Sequence, residues 1–308
     1  MTLDGLPLPT PLEKAPGPLA RGRDLFFKRE DGHELGAFKW RGALPALEAF
    51  RARGADGVVT ASTGNHGAAT AWAARRLGLS ATIFAPEKAS RAKLELIARY
   101  GGEVRLRGRD FDESTAEAAA FAAQRGLPFF EDGSEPAQYE GYRAIGAEIL
   151  DQSGAPPAAI VVPVGNGALI GGVGEETKRR SPRTLTAGVA AKEAPVMALS
   201  FEAGRPVPCS RTATFADGLA VRVAIPYAVA VMRRVVDRML LVSEREIAQA
   251  IGALSRTGIR VEGAAAAALA ALPRLEELPG PIVLVVTGRN IDQDAHEAAV
   301  DNPESFPD

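Results

Sequence analysis

The chain is 308 residues long, 46% hydrophobic and 24% charged, with a formal net charge of -2. This composition excludes a disordered or fibrous class and allows a core large enough for two lobes. Basic and acidic residues are interspersed, so no footprint marks a nucleic-acid or anionic-membrane partner, and the single cysteine, Cys209, excludes an intrachain disulfide and fits a reducing cytoplasm.

The opening segment MTLDGLPLPTPLEKAPGPLA has acidic residues and prolines but no apolar core, so it does not read as a signal peptide. No run reaches the roughly 18 apolar residues of a membrane span. A cytoplasmic location is expected. GAFKWRGA at 36–43 then sets Lys39 between Phe38 and Trp40. A lysine so flanked either snorkels, with its stem along the rings and its charge in water, or works as a buried amine.

Further along, GVVTAS at 57–62 reads as a strand followed by a helix through HGAATAWAARRLG, and SATIFAP at 80–86 as a second strand. A helix is expected from Lys88 towards Tyr100, then the strand GEVRLRG. EPAQYEGYRAIGAEILDQSG at 135–154 reads as a helix closed by Ser153 and Gly154. AAIVVPVG at 158–165 and PIVLVVTG at 281–288 read as buried strands, the first followed by the helix GALIGGVGEETKRR. VSEREIAQAIGAL at 242–254 offers Ser243 and Glu246 as a capping box. Apolar strands separated by helices predict an α/β fold with mainly parallel sheets covered by helices. Two lobes are expected, a large one from residues 1–50 and 141–308 and a small one from 51–140.

Three strand-to-helix junctions carry unusual residues. In TASTGNHGAA at 60–69, Ser62, Thr63, Gly64, Asn65 and His66 open a helix whose first N-H groups suit a carboxylate, or simply form a well-capped turn. In PVGNGALIGG at 163–172, Gly165 and Gly167 allow a backbone nest for a phosphate, without the spacing of a Walker or dinucleotide loop. In VVTGRN at 285–290, Thr287 ends a buried strand, where parallel sheets bind ligands. Together with Lys39 these are the parts of a pyridoxal 5'-phosphate site: an amine for the aldehyde, a nest for the phosphate and a turn for the amino-acid carboxylate.

The sequence resembles the fold-type II pyridoxal-phosphate enzymes, and within them the serine/threonine dehydratase family. KREDGHELGAFKWRGA at 28–43, ASTGNHG at 61–67, GNGAL at 165–169, TFADGLAVR at 214–222, VSEREIAQAI at 242–251, VEGAAAAALAAL at 261–272 and TGRNID at 287–292 carry the resemblance in family order. It implies a fold like that of the tryptophan synthase β subunit, with the active site in the cleft between a cofactor-binding large lobe and a substrate-loop small lobe. It also implies a homodimer. By matching position, Lys39 would hold the cofactor, Phe38 would lie against its ring and Asn65 would meet its 3' oxygen. Gly165, Asn166, Gly167, Ala168 and Leu169 would bind phosphate, and Thr287 would face the pyridine nitrogen. Ser62, Thr63, Gly64 and His66 would cradle the substrate carboxylate, with Thr63 placed where the family's racemases have a serine. Glu262 matches the glutamate of the family's EGAGA segment, with no role assigned.

The implied reaction is β-elimination from threonine or serine to a 2-oxo acid and ammonia. Racemisation, a replacement of the threonine synthase or cysteine synthase kind, and a cofactor-free binding protein are the alternatives. Asn166 and Ala168 interrupt the family's usual run of four glycines and lean towards the threonine synthase branch. The divalent-cation site of some relatives is not expected, because Ala190, Ala194 and Val196 stand where its glutamate, carbonyl and second acid would be. The chain ends soon after the last motif, so feedback by an end-product amino acid is not expected.

Overall fold

Nine strands form two sheets in the computed structural model, which describes residues 9–20, 22–89, 91–210 and 212–308. Residues 1–8, part of the segment read above for a signal peptide, and Ser90, inside the helix expected from Lys88, lie outside the described residues. The chain divides into two compact units, Met1–Ala37 with Tyr142–Asp308, and Phe38–Gly141.

The first unit holds a six-stranded sheet built from β1 (Leu12–Lys14), β2 (Leu25–Arg29), β6 (Ala159–Pro163), β7 (Leu185–Ala191), β8 (Arg238–Val242) and β9 (Ile282–Val286). The order is β1-β2-β9-β6-β7-β8, parallel throughout except for β1 against β2. Burial explains the order. β6 and β9 are apolar at every position and wholly buried, so they take the centre, while the polar β1 and the partly exposed β8 form the edges. Phe27, Leu284, Val161 and Ala187 stand in register across four strands and all belong to one core cluster. Ile247 and Ile251 of the helix Glu244–Ser255, and the alanines of the helix Gly263–Ala270, complete that cluster.

The second unit holds the parallel sheet β3-β4-β5, formed by β3 (Gly57–Ala61), β4 (Ser80–Ala85) and β5 (Glu103–Leu106). The chain at 128–130 runs along the free edge of β3: the Val59 N-H donates to Pro128 O at 3.0 Å and the Phe130 N-H to Val59 O at 2.7 Å. That edge contact fixes where residues 131–133 emerge.

Most expected helices form where the periodicity places them, including Asn65–Leu77, Pro136–Gln152 and Ala168–Arg180. The capping box is complete, with Ser243 Oγ accepting from the Glu246 N-H at 3.2 Å and Glu246 Oε2 accepting from the Ser243 N-H at 2.7 Å. The helix expected from Lys88 begins at Arg91 instead, after a turn in which the Ala89 N-H donates to Pro86 O. The first boundary between the units falls after Ala37 rather than after residue 50. The reason is the helix Trp40–Ala52, which packs on Asn65–Leu77 with Trp40 edge-on to Trp72 at 6.2 Å.

Candidate active site

Two lysines of the segment 28–43 have separate fates. Lys28 is fully buried in β2, and its ammonium donates to Thr10 O, Glu148 Oε2 and Gln152 Oε1 at 2.7, 2.6 and 2.8 Å. Every ammonium donor is used, so Lys28 is scaffold. Lys39 caps the helix Trp40–Ala52, keeps 16% of its side chain exposed and sets Nζ 2.5 Å from Asp132 Oδ2. Its Nζ also lies 5.0 Å from the centroid of the buried Phe38 ring. The charge is turned to a carboxylate, not left in water.

The turn after β3 is built around Ser62. Its buried hydroxyl accepts from the Gly64 N-H at 3.2 Å and the Gly67 N-H at 2.9 Å, holding the start of the helix Asn65–Leu77. Gly67 has no room for a side chain, since a Cβ there would lie 2.9 Å from Ile97 Cδ1 and 3.1 Å from Ser62 Cβ. Thr63, Gly64 and Asn65 are half-buried on the open side of the turn.

His66 is occupied by the fold. Thr60 Oγ1 gives its proton to Phe130 O at 2.7 Å and so faces His66 Nε2, 3.1 Å away, as an acceptor. Nε2 also lies 3.3 Å from Phe130 O, and Nδ1 lies 3.5 Å from Asp132 Oδ1. Burial is the main force lowering the imidazole pKa; the Lys39 charge acts with it, and Asp132 and the Phe130 carbonyl oppose it. What His66 has to offer a carboxylate is its backbone N-H at the helix start.

Asp132 is the residue that sequence reading missed. Burial pushes its carboxyl up, but the Lys39 ammonium and His66, with hydrogen bonds from Lys39 and Gln138, outweigh burial and hold it well below the usual carboxylate range. The run EDGS reads only as a turn, and the one signal that points further is the β-edge pairing of 128–130, a contact between distant parts of the chain.

In the first unit, the loop after β6 enters the helix Ala168–Arg180 with Gly167 at φ +92°. No side chain caps that helix from Gly167, while Asn166 Oδ1 accepts from the Ala168 N-H at 3.0 Å. A Cβ on Gly165 would run into Gly218 O, and one on Gly167 would lie 2.5 Å from Met232 Sδ. The interruption by Asn166 and Ala168 thus leaves glycine at the position without room for a side chain, Gly165, and at the one with positive φ, Gly167. Leu169 is buried in the first helical turn.

Thr287, just past β9, is buried, and its Oγ1 has no hydrogen-bond partner among the described residues. Gly288 follows because the Glu262 carboxylate fills the space a side chain would need, with Oε1 2.7 Å from an ideal Cβ. The Glu262 N-H also donates to Gly288 O at 3.0 Å. Ala190, Ala194 and Val196 are buried carbon side chains, and no group of three or more potential metal ligands occurs among the described residues.

Residues 3–288 match the family model described as pyridoxal-phosphate dependent enzyme. L-threonine ammonia-lyase of Geobacter sulfurreducens is 40% identical over 276 residues, covering 88% of this chain and 68% of the relative. Some other curated relatives are longer, and the chain spans as little as 45% of the length of one of them. Among solved structures, the processed form of threonine deaminase isoform 2 from Solanum lycopersicum superposes with a TM-score of 0.89 at 32% identity, covering 95% of this chain and 87% of that one. Maize serine racemase superposes with a TM-score of 0.86 at 28% identity, covering 92% and 89%. The chain belongs to the pyridoxal-phosphate dependent enzymes of fold type II, in the serine/threonine dehydratase family, and pyridoxal 5'-phosphate is its cofactor.

Proposed function

We propose that the protein is an ammonia-lyase that converts threonine, and serine as a second substrate, to the 2-oxo acid and ammonia, with Lys39 as the residue that carries the cofactor. The observation that carries this reading is the 40% identity to an L-threonine ammonia-lyase along 88% of the chain. The residues present suit the cofactor. Gly165 and Gly167 let the loop backbone pack close against Gly218 and Met232 at a helix start whose N-H groups suit a phosphate, and Thr287 Oγ1 is a buried hydroxyl without a partner among the described residues, as a pyridine nitrogen would supply.

When bound, pyridoxal 5'-phosphate supplies an aldehyde for an amine and a ring that accepts the electrons left by the α-proton. The chain's own residues do the rest. Lys39 yields its place to the substrate amine and then holds the α-proton on Nζ. Ser62, Thr63, Gly64 and the His66 N-H bind the carboxylate at the helix start, fixing the Cα-H direction. Phe38 would lie against the ring, Asn65 would meet the 3' oxygen and Gly165–Leu169 would hold the phosphate. A cytoplasmic homodimer completes it, on the resemblance alone.

The test is a 2-oxo acid assay across a panel of amino acids, with chiral analysis of serine in parallel. Release of 2-oxobutyrate and pyruvate faster than any D-serine is expected. Thr63 favours a second reading, racemisation, because its hydroxyl precedes Gly64 where a proton is returned to the opposite face in racemases. D-serine outpacing pyruvate would establish that second reading.

A further inference from the structure

We propose that Asp132 sets the substrate specificity of this site: its carboxylate selects an amino acid whose β-substituent donates a hydrogen bond, a hydroxyl or an ammonium, and turns away one whose β-substituent is a carboxylate. The inference deepens the reading above and rests on it.

Its basis is position. Asp132 Oδ2 lies 2.5 Å from Lys39 Nζ and Oδ1 lies 3.5 Å from His66 Nδ1. The substrate amine takes the place of Nζ, and the substrate carboxylate takes the turn that His66 joins. An amino acid held at those two points carries its β-carbon past Asp132, whose carboxylate meets the Lys39 amine and the His66 ring.

The carboxylate is also braced. Gln138 Nε2 donates to Asp132 Oδ1 at 2.6 Å, while Gln138 Oε1 accepts from the Gly133 N-H at 2.8 Å. Tyr139 OH donates to Gly133 O at 2.8 Å, and both Gln138 and Tyr139 are buried. An ion pair with Lys39 alone needs no such frame. Braced by the Gln138 amide, the Asp132 carboxylate accepts a hydrogen bond, so its part is selection. A second carboxylate beside it meets like-charge repulsion.

The test uses Lys39→Ala protein loaded with pyridoxal 5'-phosphate, which holds an amino acid without turning it over. The shift in cofactor absorbance on titration gives a Kd for serine, 2,3-diaminopropionate, 2-aminobutyrate and aspartate, whose β-substituents are hydroxyl, ammonium, methyl and carboxylate. Serine and 2,3-diaminopropionate are expected to bind about tenfold or more tighter than 2-aminobutyrate, with aspartate weakest. Adding Asp132→Asn is expected to tighten aspartate by about tenfold and to erase the preference for the ammonium. An unchanged ranking in the Asp132→Asn protein, or aspartate binding as tightly as serine without it, overturns the proposal. Should Asp132→Asn fail to fold, Gln138→Leu decides: it leaves the charge but frees it, so the hydroxyl preference shrinks while aspartate stays weakest. An undiminished hydroxyl preference there also overturns it. Failure of the underlying reading shows separately, as cofactor still fixed by borohydride to the Lys39→Ala protein.

Discussion

Thr287 and Asp132 mark the two ends of what a single residue reveals. The position of Thr287 was legible, because a hydroxyl at the carboxyl end of an apolar strand is a local pattern, and the structure adds that the hydroxyl is buried without a partner among the described residues. Asp132 was not, because its importance comes from Lys39 and His66, which precede it by scores of residues, and EDGS on its own is turn chemistry. Thr287 yields a two-sided prediction. In cofactor-free protein, Thr287→Val replaces an unsatisfied buried hydroxyl by a methyl and is expected to raise stability by about 1 kcal/mol in urea denaturation. In the same variant the cofactor is expected to bind roughly tenfold more weakly. A destabilised cofactor-free variant would mean that the hydroxyl already has a protein partner.

At the scale of elements, the central strands and most helices followed from pattern, because β6 and β9 are uninterrupted in apolar residues and the 244–255 helix announces itself by Ser243 and Glu246. The polar edge strand β1 did not, since its three residues show no apolar run and form only by pairing with β2. The phosphate-loop reading was half legible: the sequence shows Gly167, and only the structure shows that it sits at φ +92° against Met232. Gly167→Ala is therefore expected to cost about 1–3 kcal/mol of stability and to weaken cofactor binding. Ser243→Ala is the control, expected to cost about 1 kcal/mol through loss of the cap while leaving cofactor affinity unchanged. Equal effects of the two on affinity would remove the loop from the cofactor site. Thermal denaturation with and without cofactor measures both.

At the scale of the whole molecule, two sheets were expected and two are present, yet their composition was only partly readable. β9 lies beside β2, so strands from the two ends of the chain are neighbours, an outcome of burying both faces of each that no local pattern records. The division after Ala37 has the same character, since the aromatic contact of Trp40 with Trp72 joins the segment 38–50 to the second unit. The account centres on one amine. Borohydride reduction of the cofactor-loaded protein, followed by peptide mapping, tests it most directly: the reduced cofactor is expected on the peptide containing Lys39 and absent from the Lys39→Ala protein. Cofactor fixed to another lysine, Lys28 included, or fixed equally to the Lys39→Ala protein, would contradict it.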